Sequence, residues 1–596
     1  MKQTIRKIIC ILLVICLVYS YRYELFFNEV DNIASSAIII AILIYIVIKN
    51  INNDINNLTT KELSMKWIII LLLSLLWAKT FNKYIFPIET GFSLKTGFDS
   101  AITLVQAFAL LIVTINTIQN FTFESQRRNA SWQTIINYSI PSILISIIIW
   151  LSIYPALMIV DSVYIWTMID GLMPYNDIHP ITYTIMLKLL TLVWNSPASI
   201  ALVQILLTGL AIGFTGYSLQ RIGLPLRYCW IAILLASLLP VTWLYSVTII
   251  KDTFYTMSLL IFIDIIVLAV NDPNYILCSI KWYIFGGLAG LLVILSRHNG
   301  ILTICGTLII ALIMFLIKKN RSWVIKTACT LLSILFLFYS SLAIIKTSLG
   351  ENFIKQDASP LLYTHPIHHV VTIYREHNSE LDKETLSDID RFLNLNYLYP
   401  YLFGEKAYDW IQGYYFQNIQ LSGDWSEISK DSVGFFRLWL RLIKAYPKTA
   451  YTASQRLSSI VWYSSNYGFT TTYILGIYHQ DGYANIIESP ILPQVKSIIQ
   501  DSLERLDNIW LLWRPAWALV LCLVLAYIAV KRKGAKSMFI LLPTILNSLG
   551  LLIAVPYPDT RFVYINFYTL IVFAIYTLLC ERKEAVAQIV PSSQAS

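Results

Sequence analysis

Apolar residues in this chain come in long runs, separated by short polar loops that carry Lys and Arg. Read between the charges, the runs place fourteen candidate helical spans near residues 8–26, 33–48, 65–82, 100–119, 138–160, 197–220, 228–250, 253–271, 282–296, 300–317, 327–346, 510–530, 537–555 and 562–580. A hydrocarbon layer of roughly 30 Å needs about 20 residues of helix, and the third and ninth runs are short for that task. A backbone in lipid has to satisfy its own hydrogen bonds, so runs of this length predict helices. The fold class expected is therefore an all-α polytopic membrane protein, a bundle of about 12–14 helices. The first run follows a basic start, Met1 to Lys7, and resembles a signal peptide. Val18-Tyr19-Ser20-Tyr21-Arg22 offers no convincing small-residue cleavage site, so the run reads as a retained first span.

With the N-terminus cytoplasmic, the inner loops hold Lys49, Lys61, Lys66, Arg127, Arg128, Arg221, Arg227, Lys281, the group from Lys318 to Lys326, the group from Lys531 to Lys536, and finally Arg582 and Lys583. Basic residues thus fall on one side, which predicts cytoplasmic termini. Residues 349–508 break the pattern: rich in Tyr, Trp, Asp, Asn and Gln, they are too polar to span and fall outside by the same count. The chain divides into additional N-terminal spans (1–125), a transmembrane core with outer loops (126–348), a mainly helical extracytoplasmic domain (349–508), three closing spans (509–583) and a tail (584–596) expected to be disordered. Within the outer domain, 433–463 reads as helix. Arg437, Arg441, Lys444 and Lys448 form one basic stripe on it, beside Phe435, Phe436, Leu438 and Trp439. That stripe suits either an outer-leaflet surface or an ordinary solvated face.

Composition agrees and narrows the classes. Of 596 residues, 57% are apolar and only 13% charged, against about 25% charged in a soluble domain. The net charge of +9 sits in the short loops as a topology signal, so no nucleic-acid partner is expected. All eight Cys lie in or beside apolar runs, which argues against disulfides and Cys-based metal sites.

Ionisable residues at the outer ends of spans carry the candidate chemistry, because charge near hydrocarbon is costly. The fifth span ends at Asp161-Ser162, and an aromatic, polar stretch leads on to Asn176-Asp177-Ile178-His179-Pro180. Asp161 also reads as a cap for a following helix, and Asp177 with His179 as a turn before Pro or as a carboxylate and imidazole sharing a divalent metal. Lys251-Asp252 opens the eighth span, where a cap and a snorkelling amine would explain both. Arg297-His298-Asn299 makes a tight outer hairpin whose guanidinium suits bidentate phosphate binding. The last outer loop carries Asp559 and Arg561, alone readable as a pair at a turn. His365, His368 and His369 are close enough in sequence to bind metal, though surface histidines are the commoner case. Asp264 lies well inside the eighth span, either on an ion pathway or bonded by a neighbouring helix.

A span ending in Asp, a polar loop with Asp-x-His-Pro, a Lys-Asp helix start, an Arg-x-Asn-Gly hairpin and a late Asp-x-Arg-Phe together resemble the GT-C superfamily. These are polytopic glycosyltransferases that use polyprenyl-phosphate sugars, such as protein O-mannosyltransferases and bacterial aminoarabinose transferases. The resemblance covers residues 138 to 580. It implies a GT-C-like core, a catalytic role for Asp161, and donor-phosphate binding by Arg561, with Arg297 and Lys251 beside it. It also implies inversion at the sugar carbon and a location in a cell (plasma or inner) membrane. Asp177 and His179 are candidate supports for catalysis; Asp252, His298, Asn299 and Asp559 are supporting residues. The chain departs from the superfamily in having Lys251-Asp252 where many members carry an acidic pair, and in placing its outer domain before three further spans. No cofactor is called for with certainty, and a divalent metal is left open.

The chemistry suits the residues independently of the name. A phosphate is already a good leaving group, so cations have to stabilise its developing charge while a base takes the acceptor hydroxyl's proton. The partners expected are a polyprenyl-phosphate sugar donor, membrane lipids, and a glycan, lipid or protein acceptor. A saccharide transporter or flippase would rely on midplane sites such as Asp264 and on repeats, none of which is visible. An O-antigen-ligase-like or polymerase-like enzyme would concentrate its chemistry in 349–508.

Overall fold

The computed structural model describes residues 60–81, scattered positions between 107 and 119, and residues 122–126, 130–354, 363–393, 425–464, 476–479, 484–507, 510–555 and 558–580. The expected spans at 8–26 and 33–48, most of that at 100–119, and the tail from 584 lie outside these residues. The described chain is predominantly helical. Among the described residues five helices are long and apolar enough to cross a membrane, or six if one bent pair counts as a single span.

The first described helix, α1, is Thr60–Phe81. Then come α2 (Trp132–Ser152), α3 (Val160–Ile169), α4 (Ile181–Thr191), α5 (Pro197–Arg221), α6 (Leu226–Leu238), α7 (Pro240–Val247) and α8 (Lys251–Asn271). After a short helix at Pro273–Cys278 follow α9 (Ile280–Ser296), α10 (Gly300–Ile317) and α11 (Arg321–Leu349). The long polar segment contributes α12 (Thr364–His377), α13 (Lys383–Leu393), α14 (Ser432–Ala445), α15 (Pro447–Leu457) and α16 (Pro493–Asp507). The chain closes with α17 (Ala516–Lys533), α18 (Leu542–Ala554) and α19 (Ile565–Leu578).

Several expected spans are interrupted, and proline explains two of the breaks. The run 228–250 is α6 and α7, bent by 57°, because Pro240 has no N–H to continue the ladder and forces Leu239 out of helical geometry. The run 510–530 breaks at Pro515, between a turn at Trp510–Trp513 and α17. The fifth span ends sooner than the apolar pattern suggested. α2 stops at Ser152, and Leu157 and Met158 form bridges to Thr248 and Ile477. Asp161 therefore belongs to the first turn of the separate helix α3 rather than to the end of a span.

Small residues set the closest packing in the bundle. Gly209, Gly213 and Gly216 of α5 face Ile143, Ser139 with the Ile135 carbonyl, and Tyr138 of α2, with no room for a Cβ. Without a hydrophobic driving force between helices in lipid, such close approach is what dispersion and packing depend on. At the C-terminal ends of α17 and α19, Phe123–Glu124 pairs in parallel with Leu579–Cys580, and Arg532 donates to the Thr577, Ile118 and Gln119 carbonyls.

The polar segment has its own core of Tyr363, Ile367, Val370, Ile389, Phe392, Phe435, Leu438 and Leu442, among others. The helix expected over 433–463 is three helices, broken at Pro447 and at Ser458. Its apolar face is used up in this core. Arg437, Arg441, Lys444 and Lys448 are exposed, and Arg441 pairs with Asp388 at 2.6 Å, which favours the solvated-face reading of the basic stripe.

Candidate functional site

Five stretches far apart in sequence meet where α8 begins, α9 ends and α19 approaches. Asp161 comes from the first turn of α3, where a helix N-terminus favours a carboxylate. His179 comes from the loop before α4, Lys251 and Asp252 from the first residues of α8, Arg297 from the C-cap of α9, and Asp559 and Arg561 from a 3-10 turn before α19.

Arg561 is the hub. Its Nη1 donates to Asp161 Oδ2 at 2.9 Å, while its Nε lies 3.1 Å from Asp559 Oδ2 and 4.0 Å from Asp252 Oδ2. Asp559 also accepts from the Arg561 backbone N–H at 3.0 Å, which fixes the turn that aims the guanidinium. Asp252 is bound by Arg297 Nη1. The Arg297 guanidinium lies 4.5 Å from the Phe562 ring centroid and 5.3 Å from that of Tyr255, a cation–π arrangement. Lys251 turns inward: its Nζ donates to His179 Nδ1 at 2.9 Å and sits 3.7 Å from Asp161 Oδ2. The cap-and-snorkel account of Lys251-Asp252 does not apply, since Ile250 holds the N-cap position and both side chains face the cluster.

Three carboxylates and three cations are thus gathered in a nearly water-free volume. Asp252 is fully buried, Arg561 is 2% exposed, and Asp161 keeps 26% of its side chain open. Burial is the largest single influence and opposes charge on Asp161, but the Arg561 guanidinium, His179 and Lys251 together outweigh it and hold the carboxyl well below the usual carboxylate range. Burial, and then the Lys251 ammonium, lower His179 to about 3. His179 is therefore neutral at physiological pH. Because Nδ1 accepts from Lys251, the proton sits on Nε2, 3.9 Å from Asp161 Oδ1.

Other expected residues lie at the rim. Asp177 caps α4, accepting from the Ile181 N–H at 2.9 Å, and its Oδ2 meets Lys346 at 3.2 Å. His179, by contrast, meets Lys251 and Asp161, so the two side chains have different partners. His298 Nε2 reaches the Asp177 carbonyl at 3.3 Å. Asn299 donates to Asn547, which also accepts from Tyr255 and donates to the Phe562 carbonyl, tying the Arg297 hairpin to the Arg561 loop. Among the described residues no group of three or more His, Cys, Asp or Glu is arranged to hold a metal ion. His369 spends both ring nitrogens, accepting from Trp439 at 3.0 Å and meeting Ser454 at 2.6 Å.

No family model, curated protein or solved structure matches the chain. The site must therefore be read from its own geometry.

That geometry adds residues the sequence did not single out. Tyr245 packs edge-on against Tyr564 at 5.1 Å, close enough to Asp559 and Arg561 to feel their charge. Its hydroxyl is buried with no hydrogen-bond partner among the described residues, as is that of Tyr183, beside Asp252 and Asp161. Tyrosines near span ends read as interfacial anchors in a sequence, which hides these two.

Proposed function

We propose that the protein is an integral-membrane glycosyltransferase of the GT-C type. It would move a hexosyl or pentosyl unit from a polyprenyl-phosphate donor to a glycan, lipid or protein acceptor on the extracytoplasmic face, in cell-envelope glycan or glycoconjugate synthesis. One observation carries the reading: Asp161, Lys251, Asp252, Arg297, Asp559 and Arg561, contributed by separate loops, meet in one buried cluster whose most open member is Asp161. Topology anchors have no reason to converge.

The arrangement suggests how binding and catalysis are linked. With no substrate present, Asp161 is a poor base because Arg561 stabilises its charged form. A donor phosphate that draws the Arg561 and Lys251 cations to itself removes that stabilisation, and the basicity of Asp161 rises at the moment an acceptor hydroxyl must lose its proton. The cations meanwhile offset the charge that develops on the departing phosphate. Neutral His179 orients Lys251 rather than acting as the base. The hydroxyls of Tyr183 and Tyr245 are donors still without acceptors, suited to phosphate or sugar oxygens.

The test is binding of a polyprenyl phosphate to the full chain in nanodiscs. Arg561→Gln should weaken it about tenfold or more, the scale of a charge-assisted hydrogen bond. Undiminished binding by a folded Arg561→Gln protein would overturn the reading. One observation favours a transporter instead. Asp264 is fully buried within α8, and among the described residues only the Thr215 hydroxyl meets its Oδ2, at 2.6 Å, and nothing meets Oδ1. That reading requires Asp264→Asn, rather than Asp161→Asn, to abolish function.

A further inference from the structure

At the end of the bundle opposite the carboxylate cluster, an apolar groove runs between α8, α9, α10 and α11. Its walls are Phe262, Ile265 and Ile266 of α8, Trp282 of α9, and Ala311 and Phe315 of α10, with Phe539 at its foot. Gly286 and Gly287 of α9 keep it open: a Cβ on Gly286 would meet Ile265 at no closer than 3.7 Å. The groove has charge at one end. Lys318 and Lys536 line its mouth, and no Asp or Glu lines it anywhere.

Neither lysine is paired with a carboxylate among the described residues. Among the described residues Lys536 donates to the Val270 carbonyl, at 3.3 Å. Asp272, two residues beyond Val270, is engaged in capping the Pro273–Cys278 helix through the Tyr275 N–H. A third cation, Lys326, is fixed beside the groove by the Cys278 carbonyl at 2.7 Å. Length gives the second constraint. The stretch of α10 lining the groove runs from Thr307 to Lys318, about 16 Å of helix at 1.5 Å per residue. One leaflet of a roughly 30 Å hydrocarbon layer is about 15 Å deep. The groove therefore fits the acyl chain of a single leaflet, ending where a headgroup would meet the lysines, and is too short for a polyprenyl chain crossing the bilayer.

We propose that this groove is a binding site for an anionic phospholipid of the leaflet at the basic end, with its phosphate on Lys318 and Lys536 and an acyl chain against Phe262, Ile266 and Phe315. The site is independent of the glycosyltransferase reading and needs only that the bundle span a membrane. Cations at such positions raise the local preference for anionic over neutral lipids, about 30-fold for two lysines acting together.

Native mass spectrometry of the full chain released from nanodiscs of phosphatidylglycerol and phosphatidylcholine in equal amounts tests it. Phosphatidylglycerol should be retained about 30-fold over phosphatidylcholine. The double variant Lys318→Gln/Lys536→Gln, with both changes at exposed positions, should bring that ratio close to one. Gly286→Leu should fill the groove and lower retention of phosphatidylglycerol while leaving the lysines in place. Equal retention of the two lipids by the unaltered chain, a preference that survives the double lysine variant, or displacement of phosphatidylglycerol by polyprenyl phosphate would each overturn the proposal.

Discussion

Arg297 and Asp252 offer a way to separate what the charged cluster does for folding from what it does for chemistry. Replacing Arg297 by Met removes the cation bound to a fully buried carboxylate. Breaking such a pair from one side costs about 3–5 kcal/mol, because the remaining charge is left without compensation. Two features of the site adjust that figure. Arg561 Nε, 4.0 Å from Asp252 Oδ2, remains as a weak second partner and pulls the cost toward the lower end. Loss of the guanidinium above Phe562 and Tyr255 adds back about 0.5–1 kcal/mol. We expect about 3–4 kcal/mol for Arg297→Met. In the double variant Arg297→Met/Asp252→Leu no buried charge is stranded, and Arg561 keeps Asp161 and Asp559. Stability should then return to within about 1 kcal/mol of the parent. Thermal or denaturant unfolding of the purified chain in one detergent measures the cycle, and donor turnover measured alongside should stay lost in both variants. Additive destabilisation in the double variant would refute the claim that the two groups form a compensated buried pair. Recovered turnover would refute a functional role for Arg297.

Gly213→Val should destabilise the bundle by several kcal/mol, because its Cβ would collide with the Ile135 carbonyl and Ser139; loss of monodisperse protein on size exclusion is the readout, and normal behaviour would count against α2–α5 contact. Acid should destabilise the fold. His179 and His368 lie at about 3 and His365 and His369 at about 4, against an ordinary 6.5. Burial is the main cause in each. Below pH 6.5 the unfolded chain therefore binds protons the folded chain does not, so stability falls as pH drops through that window, while above it the effect vanishes. Each such histidine contributes up to about 1.4 kcal/mol per pH unit, and His368→Gln should flatten the slope; stability that rises on acidification would contradict this. Tyr245→Phe should leave unfolding unchanged within about 1 kcal/mol, since it removes a hydroxyl with no partner, yet lower donor turnover; unaltered turnover would remove Tyr245 from the site.

Sequence reading went furthest where one strong physical constraint acts. Hydropathy located α5, α8, α9 and α10 within a few residues, because lipid leaves the backbone no alternative to helix. It failed at the ends of α2 and at the bend between α6 and α7, where apolar composition continues through a break in geometry. The charged residues at outer span ends were visible individually, each with an adequate local explanation. Their convergence was not, because nothing in Asp161 or Arg561 alone encodes a contact across four hundred positions of chain. Asp177 shows the opposite error: its proximity to His179 in sequence suggested partnership, whereas the turn at Pro180 sends the two side chains to different neighbours. The tyrosines were hidden by their number and by their ordinary place at membrane interfaces.

The central claim is that the Asp161 cluster transfers a sugar from a lipid phosphate. Its most direct test is release of polyprenyl phosphate by the purified full chain, supplied with a panel of polyprenyl-phosphate hexoses and pentoses and an envelope extract as acceptor. The account predicts release from at least one donor, and a fall of at least about a hundredfold in Asp161→Asn with its unfolding profile and polyprenyl-phosphate binding retained. Equal release by the parent and a folded Asp161→Asn protein, or no release from any donor in the panel, would contradict it.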